Sequence, residues 1–120
     1  MISDIRVFLC DDDHLRFFGE GPCRLLHLIE ETGSLRAAAI SMGMAYTKAL
    51  AIMRRAEKNL GFPLTARRIG GKGGGGSVLT SEAKEFLHDY EAYRDACIQS
   101  SRELYTQIFS KYADGGAERE

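Results

Sequence analysis

No run of apolar residues in this 120-residue chain approaches the roughly 20 needed to cross a bilayer. The opening Met1-Ile2-Ser3-Asp4 has neither the basic start nor the apolar core of a secretion signal. Both absences imply a cytoplasmic chain with no membrane partner. Cysteine is scarce. Cys10, Cys23 and Cys97 form an odd set, with no CxxC pair and no histidine at zinc-finger spacing. They read as reduced thiols and not as a disulfide framework. His14, His27 and His88 fall in different predicted elements, so the sequence shows no metal cluster and implies no cofactor. His27 sits between apolar neighbours and has no evident second ligand.

Catalytic patterns are missing too. No carboxylate pair and no Ser, His and Asp set stands out. Gly71-Lys72-Gly73 lacks the spaced glycines and the Ser or Thr after the lysine that cradle a phosphate, and a short strand follows where a helix is required. Asp11-Asp12-Asp13 lacks the glycine and terminal glutamate of a calcium loop and reads as a turn. The chain is therefore expected not to be an enzyme.

What is present is a length sufficient for one modest core and an ordinary hydrophobic fraction of 44%. The net charge of −1 hides a segregation. Residues 1–31 carry a balance of −4, and residues 81–120 another −4. Residues 32–44 add only Arg36. Residues 45–80 carry Lys48, Arg54, Arg55, Lys58, Arg67, Arg68 and Lys72 against Glu57 alone. A phosphate backbone responds to such a local patch, and so does an acidic protein partner.

The order of elements follows from periodicity and punctuation. Ile5–Cys10 reads as a strand, residues 11–14 as its turn, and Leu15–Phe18 as an antiparallel return. Pro22 can open a helix at its first turn, Leu25, Leu26, Leu28 and Ile29 give that helix an apolar face, and Gly33 ends it. Ser34 stands at the N-cap of a short alanine-rich helix, about Leu35 to Met42, that Gly43 terminates. A third helix runs from about Tyr46 to Asn59 or Leu60, with Ala49, Ile52 or Met53, Ala56 and Leu60 as its buried stripe. Thr47, Lys48, Ala51, Arg54, Arg55 and Lys58 are left facing away.

Phe62–Ile69 reads as a loop leading into a strand, residues 70–76 as a glycine tip, and Ser77–Leu79 as the partner strand. Thr80 caps a final helix from Ser81 to about Ser110. That helix spans about 45 Å at 1.5 Å per residue, with an apolar stripe that so small a core cannot cover. A second copy of the chain is the simplest cover; the competing expectation is a break near Ser100-Ser101. Residues 113–120 read as a disordered tail.

The expected fold is mainly α with a small β wing. It is a winged helix-turn-helix with an N-terminal strand or hairpin and a long C-terminal dimerisation helix. Residues 1–80 form the DNA-binding core, 81–112 the dimerisation helix and 113–120 the tail. In such a fold the second helix of the motif enters the major groove by its N-terminal turns. Tyr46 either reaches a phosphate or packs on the preceding helix. Thr47 meets a thymine methyl or a base edge, and Lys48 a guanine edge or a phosphate. Arg54 and Arg55, about two turns deeper, suit phosphates. Arg67, Arg68 and Lys72 hold the adjacent backbone or carry the wing tip into the minor groove.

The sequence also resembles a known family. Leu25-Leu26-x-Leu28-Ile29-x-x-Thr32-Gly33-Ser34, then Ala37-Ala38 and Gly43-Met44-x-Tyr46, look like the N-terminal domain of ModE-type molybdenum-transport regulators. So do Asn59, Pro63-Leu64, and Arg67-Arg68-x-Gly70-Gly71-Lys72-Gly73-Gly74-Gly75-x-x-x-Leu79-Thr80. The resemblance covers roughly residues 5 to 95, and the helix-turn-helix part is shared more loosely with LysR-type regulators. It implies a dimeric winged helix-turn-helix on palindromic promoter DNA, with Tyr46, Thr47 and Lys48 opening the recognition helix and Arg67, Arg68 and Lys72 on the wing. This chain has Ala45 where the family commonly has Ser, and Leu50 where it commonly has Trp. Full-length regulators of the type append oxyanion-binding domains. A chain stopping at 120 implies a stand-alone DNA-binding form without that sensor, or a signal relayed by a separate effector protein. The function expected is sequence-specific double-stranded DNA binding in transcription regulation. The alternative is a winged-helix protein-interaction module that offers its basic face to an acidic partner.

Overall fold

A computed structural model describes residues 1–68 and 76–113. Among these the element order is β1 (Leu9–Cys10), β2 (Arg16–Phe18), α1 (Glu20–Thr32), α2 (Leu35–Ser41), α3 (Tyr46–Leu60), β3 (Thr65–Arg67), β4 (Ser77–Leu79) and α4 (Ser81–Ala113). The core forms where the apolar stripes meet. Leu25, Leu26 and Ile29 of α1 are fully buried against Ala38 and Ala39 of α2 and Ala49, Met53 and Ala56 of α3. The alanines have no bulk to hold the helices apart, so the three pack closely. Leu64, Leu79, Ala83 and Leu87 close the core from the side of the wing and α4. Phe18 joins the hairpin to α4 through edge-on contacts with Phe86 and Tyr90, at ring-centroid distances of 4.8 and 4.9 Å.

Local chemistry sets the helix ends. Ser34 accepts a hydrogen bond from the Ala37 amide at 3.0 Å, satisfying a first-turn donor of α2. Gly33 lies in the left-handed region at φ 83°, and its amide donates to the Ile29 carbonyl at the end of α1. Gly61 closes α3 in the same way. Thr80 accepts from the Ala83 amide at 3.0 Å at the start of α4. α1 begins at Glu20, earlier than Pro22 alone suggests, because the Cys23 amide already bonds the Gly19 carbonyl. Pro22 then sits inside the first turn, where a missing N–H leaves no helical bond unmade.

The N-terminal strand is shorter than expected. Only Leu9 and Cys10 pair, with Phe18 and Arg16, and the register slips between them. The preceding residues are tied to α4 instead. Tyr90 donates its hydroxyl to the Val7 carbonyl and Tyr105 donates to the Met1 carbonyl, both at 2.8 Å. The aspartate turn is as expected: the Asp11 carboxylate accepts from the amides of Asp13 and Leu15.

β3 and β4 pair antiparallel, with Thr65 opposite Leu79, Ala66 opposite Val78 and Arg67 opposite Ser77. Ile69 and residues 70–75 of the expected glycine tip, Lys72 among them, lie outside the described residues; Gly76, the last of the tip, is described. α4 runs unbroken through Ser100-Ser101 for 33 residues, about 50 Å. Its first turns bury Ala83, Leu87 and Tyr90. Beyond them Tyr93, Leu104, Ile108, Phe109 and Tyr112 are 42–58% exposed. Residue 113, expected to start the tail, is the last of the helix, and residues 114–120 lie outside the described set. The architecture is a mainly α winged helix-turn-helix with a two-stranded wing. No described helix is long and apolar enough to cross a membrane.

Candidate nucleic-acid interface

α3 turns one face to the core and the other to solvent. Ala49, Met53 and Ala56 point inward, with Ile52 and Leu60 half-buried beside them. Thr47, Lys48, Ala51, Arg54, Arg55 and Lys58 are all exposed, so α4 does not cover this helix. Among the described residues, the ion pairs join Arg6 to Asp4 and Arg94 to Glu20, Glu91 and Asp95. None reaches the cations of α3 or β3. Glu57, the one acid of the 45–80 window, is engaged elsewhere: its carboxylate accepts the Leu64 amide at 2.8 Å. The basic face therefore keeps its charge.

The side chain of Tyr46 packs against α2. Arg36 holds its guanidinium carbon 4.6 Å from the Tyr46 ring centroid, and 37% of Tyr46 remains exposed. The packing role expected for Tyr46 is thus met in part by the Arg36 contact, and the exposed remainder leaves the phosphate role open to test. Arg36, absent from the sequence-derived set, thus stands beside the first turn of α3. Its signal was its isolation, as the one cation of residues 32–44.

Arg67 is exposed on β3 opposite Ser77. Arg68 folds back to the α1–α2 junction, so close that a Cβ placed on Gly33 would lie 2.8 Å from its Nη2. Neither arginine pairs with the acids of α4 among the described residues. Arg55 borders an apolar groove of about 150 Å³ shared with Phe8, Arg16 and Ile52. Arg16 stacks over Phe8 at 3.9 Å and adds a cation from outside the basic window. Lys72 lies outside the described residues. Tyr46, Thr47, Lys48, Arg54 and Arg55 thus share one helix, and Arg67 and Arg68 stand on the neighbouring wing.

A second polar cluster joins α1 to α4. His27 Nε2 lies 3.2 Å from each Glu91 carboxylate oxygen, and the Cys23 sulfur lies within 4.8 Å of both groups. Arg94 sits beside them, bonded to Asp95 at 2.9 Å and to Glu20 at 3.2 Å. Burial, then the charges of Glu91 and Glu20, push the Cys23 thiol up to about 11. Burial and Glu20 push the Tyr90 phenol up to about 12. Sequence alone could not find this cluster, since 64 residues separate His27 from Glu91.

No family model matches the chain. Three curated proteins are similar to part of the chain. Transcriptional regulator ModE of Haemophilus influenzae is 37% identical over 68 residues, 57% of this chain and 27% of that protein. Molybdenum-pterin-binding protein MopB of Rhodobacter capsulatus is 37% identical over 68 residues, 57% of this chain and 25% of that protein. Molybdenum transport protein ModE of Herbaspirillum seropedicae is 39% identical over 72 residues, 60% of this chain and 25% of that protein. The chain spans about a quarter of the length of these relatives. Among solved structures, the crystal structure of the CbnR_DBD-DNA complex aligns with a TM-score of 0.57 at 20% identity, covering 78% of this chain and 98% of that one.

The chain is a winged helix-turn-helix distantly related to ModE and MopB. The structural likeness confirms the fold at an identity too low to carry more. The expectation of a non-catalytic chain agrees with these relatives, whose names are those of regulatory, transport and binding proteins.

Proposed function

We propose that the chain is a cytoplasmic transcription regulator that binds double-stranded DNA sequence-specifically through α3 and the wing. One observation carries this reading. The outward face of α3 holds Lys48, Arg54, Arg55 and Lys58 in the open, with no carboxylate paired to any of them among the described residues. The relative from Haemophilus influenzae is named a transcriptional regulator, and CbnR_DBD was solved with DNA, which supports the same use of the fold.

In this reading Thr47 and Lys48 meet base edges in the major groove. Arg54 and Arg55 contact phosphates. Arg67, Arg68 and Lys72 hold the backbone beside the wing. The Arg36–Tyr46 stack adds a cation and a hydroxyl near the start of α3, where Ala45 supplies no capping side chain. Residues 1–80 read DNA, and residues 81–112 pair two copies through the exposed stripe of α4. A two-fold dimer addresses a palindrome with half-sites about 34 Å apart or a multiple of it. The controlling signal, ModE-like or otherwise, reaches this dimer from an effector protein or domain.

Selection from a random duplex pool tests the proposal. The retained DNA is expected to share an inverted repeat. A pool retained without enrichment limits the chain to non-specific binding. Retention of no duplex, with stoichiometric capture of an acidic protein that DNA cannot displace, replaces this reading with the interaction-module one.

A further inference from the structure

We propose that Cys23, His27 and Glu91 form a site for a zinc-like divalent transition metal that ties α1 to α4. Cys23 and His27 are four residues apart on α1, a spacing that puts both side chains on one helix face. Glu91 of α4 meets them there, and the three donor groups lie within 4.8 Å of one another. Ligand atoms around a tetrahedral zinc stand roughly 3.2–3.8 Å apart, given bonds of about 2.0–2.3 Å. The His27–Glu91 separation of 3.2 Å already meets that, and the sulfur, within 4.8 Å of both, is no more than about 1.6 Å from meeting it.

The donor set is one imidazole, one carboxylate and the Cys23 thiol, which binds as a thiolate by losing its proton to solvent as the metal enters. Softer than an oxygen cage, this set suits zinc or cobalt over magnesium or calcium. Three protein ligands leave a fourth position free. The cluster opens on a surface groove of about 650 Å³ that also carries Glu20, Arg24 and Glu31, so a water or an exchangeable ligand can complete the shell.

Arg94 is the local competitor, and it holds Glu91 loosely. Its Nη2 lies 3.7 Å from Glu91 Oε2, whereas Nη1 lies 3.2 Å from Glu20 and Nε lies 2.9 Å from Asp95. A metal that takes Glu91 leaves Arg94 with two carboxylates, so no charge is orphaned. The metal also replaces one charged hydrogen bond between α1 and α4 with bonds to both helices. The site stands independently of the DNA-binding reading, because none of its residues is on α3 or the wing.

Cobalt(II) is the probe. The reduced, chelator-treated full chain is titrated with Co²⁺ and read by absorption. One equivalent is expected to raise a near-ultraviolet thiolate-to-cobalt charge-transfer band with the visible bands of four-coordinate cobalt, and Zn²⁺ is expected to bleach both. The doubly substituted Cys10→Ser, Cys97→Ser chain is expected to keep the band, and Cys23→Ser to lose it. His27→Gln and Glu91→Gln, at half-exposed positions that the fold tolerates, are expected to weaken binding more than roughly 10-fold, the loss common even for groups that only orient a ligand. Zn²⁺ is expected to raise the unfolding midpoint of the parent chain and not that of His27→Gln. Absence of the charge-transfer band in the parent chain overturns the proposal. So does a band that survives Cys23→Ser, or affinity unchanged by both His27→Gln and Glu91→Gln.

Discussion

Ser77 donates its amide to the carbonyl of Gly33 at 2.7 Å, which fastens the returning strand of the wing to the junction of α1 and α2. Arg68 covers the same junction from the outgoing strand. The wing is thus held at a fixed position relative to the helix-turn-helix, and Gly33 carries the arrangement. Its φ of 83° disfavours any side chain. Gly33→Ala is expected to destabilise the fold by about 1–2 kcal/mol, most of it backbone strain, since the tip of Arg68 can move aside. Urea unfolding measures this, and an unchanged midpoint contradicts it.

Lys48 and Arg67 are expected to differ in kind. Lys48→Ala should lower affinity for the selected site by about 1–3 kcal/mol while leaving non-specific binding nearly unchanged. Arg67→Ala should weaken all duplexes alike and reduce the salt slope by about 1. Fluorescence anisotropy with specific and scrambled duplexes separates the two. A uniform loss in Lys48→Ala moves that residue from base reading to phosphate contact.

The outer stretch of α4 exposes Leu104 at 53% and Ile108 at 58%, one turn apart on one face. Light scattering at micromolar concentration is expected to give a dimer mass for the parent chain. Leu104→Glu with Ile108→Glu is expected to give a monomer of unchanged helicity. A monomeric parent chain, or a dimeric double variant, contradicts pairing through this face.

Alkaline pH should weaken the fold. In the chelator-treated chain, Cys23 and Tyr90 keep their protons to higher pH when folded, with values near 11 and 12, than in the unfolded chain at about 8.5 and 10. The folded state then binds more protons across that window, so stability falls as pH rises from about 8.5 towards 12. Below it the contribution is fully present. Tyr90→Phe removes the phenol's share of the slope. It also costs about 1 kcal/mol at neutral pH through the lost bond to the Val7 carbonyl. Denaturant unfolding between pH 7 and 10.5 checks both; a flat profile contradicts the shifts.

The elements set by local chemistry were legible in the sequence. Ser34 and Thr80 cap as their hydroxyls allow, and Gly33, Gly43 and Gly61 turn the chain where only a residue free of Cβ strain fits cheaply. The unbroken α4 followed from its period. What depends on distant partners was not legible. β1 shortens because Val7 and Met1 give their carbonyls to tyrosines 83 and 104 residues away. Arg36 gains a place at the basic face by stacking on Tyr46, which spacing alone does not reveal. Cys23 and His27 share a helix face in plain view, but Glu91 arrives only once α4 folds over α1.

The central claim is an exposed positive face that sits against a duplex, and the salt dependence of DNA affinity tests it most directly. The logarithm of the association constant is expected to fall linearly with the logarithm of salt concentration. Four or more phosphate contacts give a slope of about −4 or steeper, and Arg54→Ala with Arg55→Ala makes it shallower. An affinity indifferent to salt, or no binding to any duplex at low ionic strength, contradicts the account.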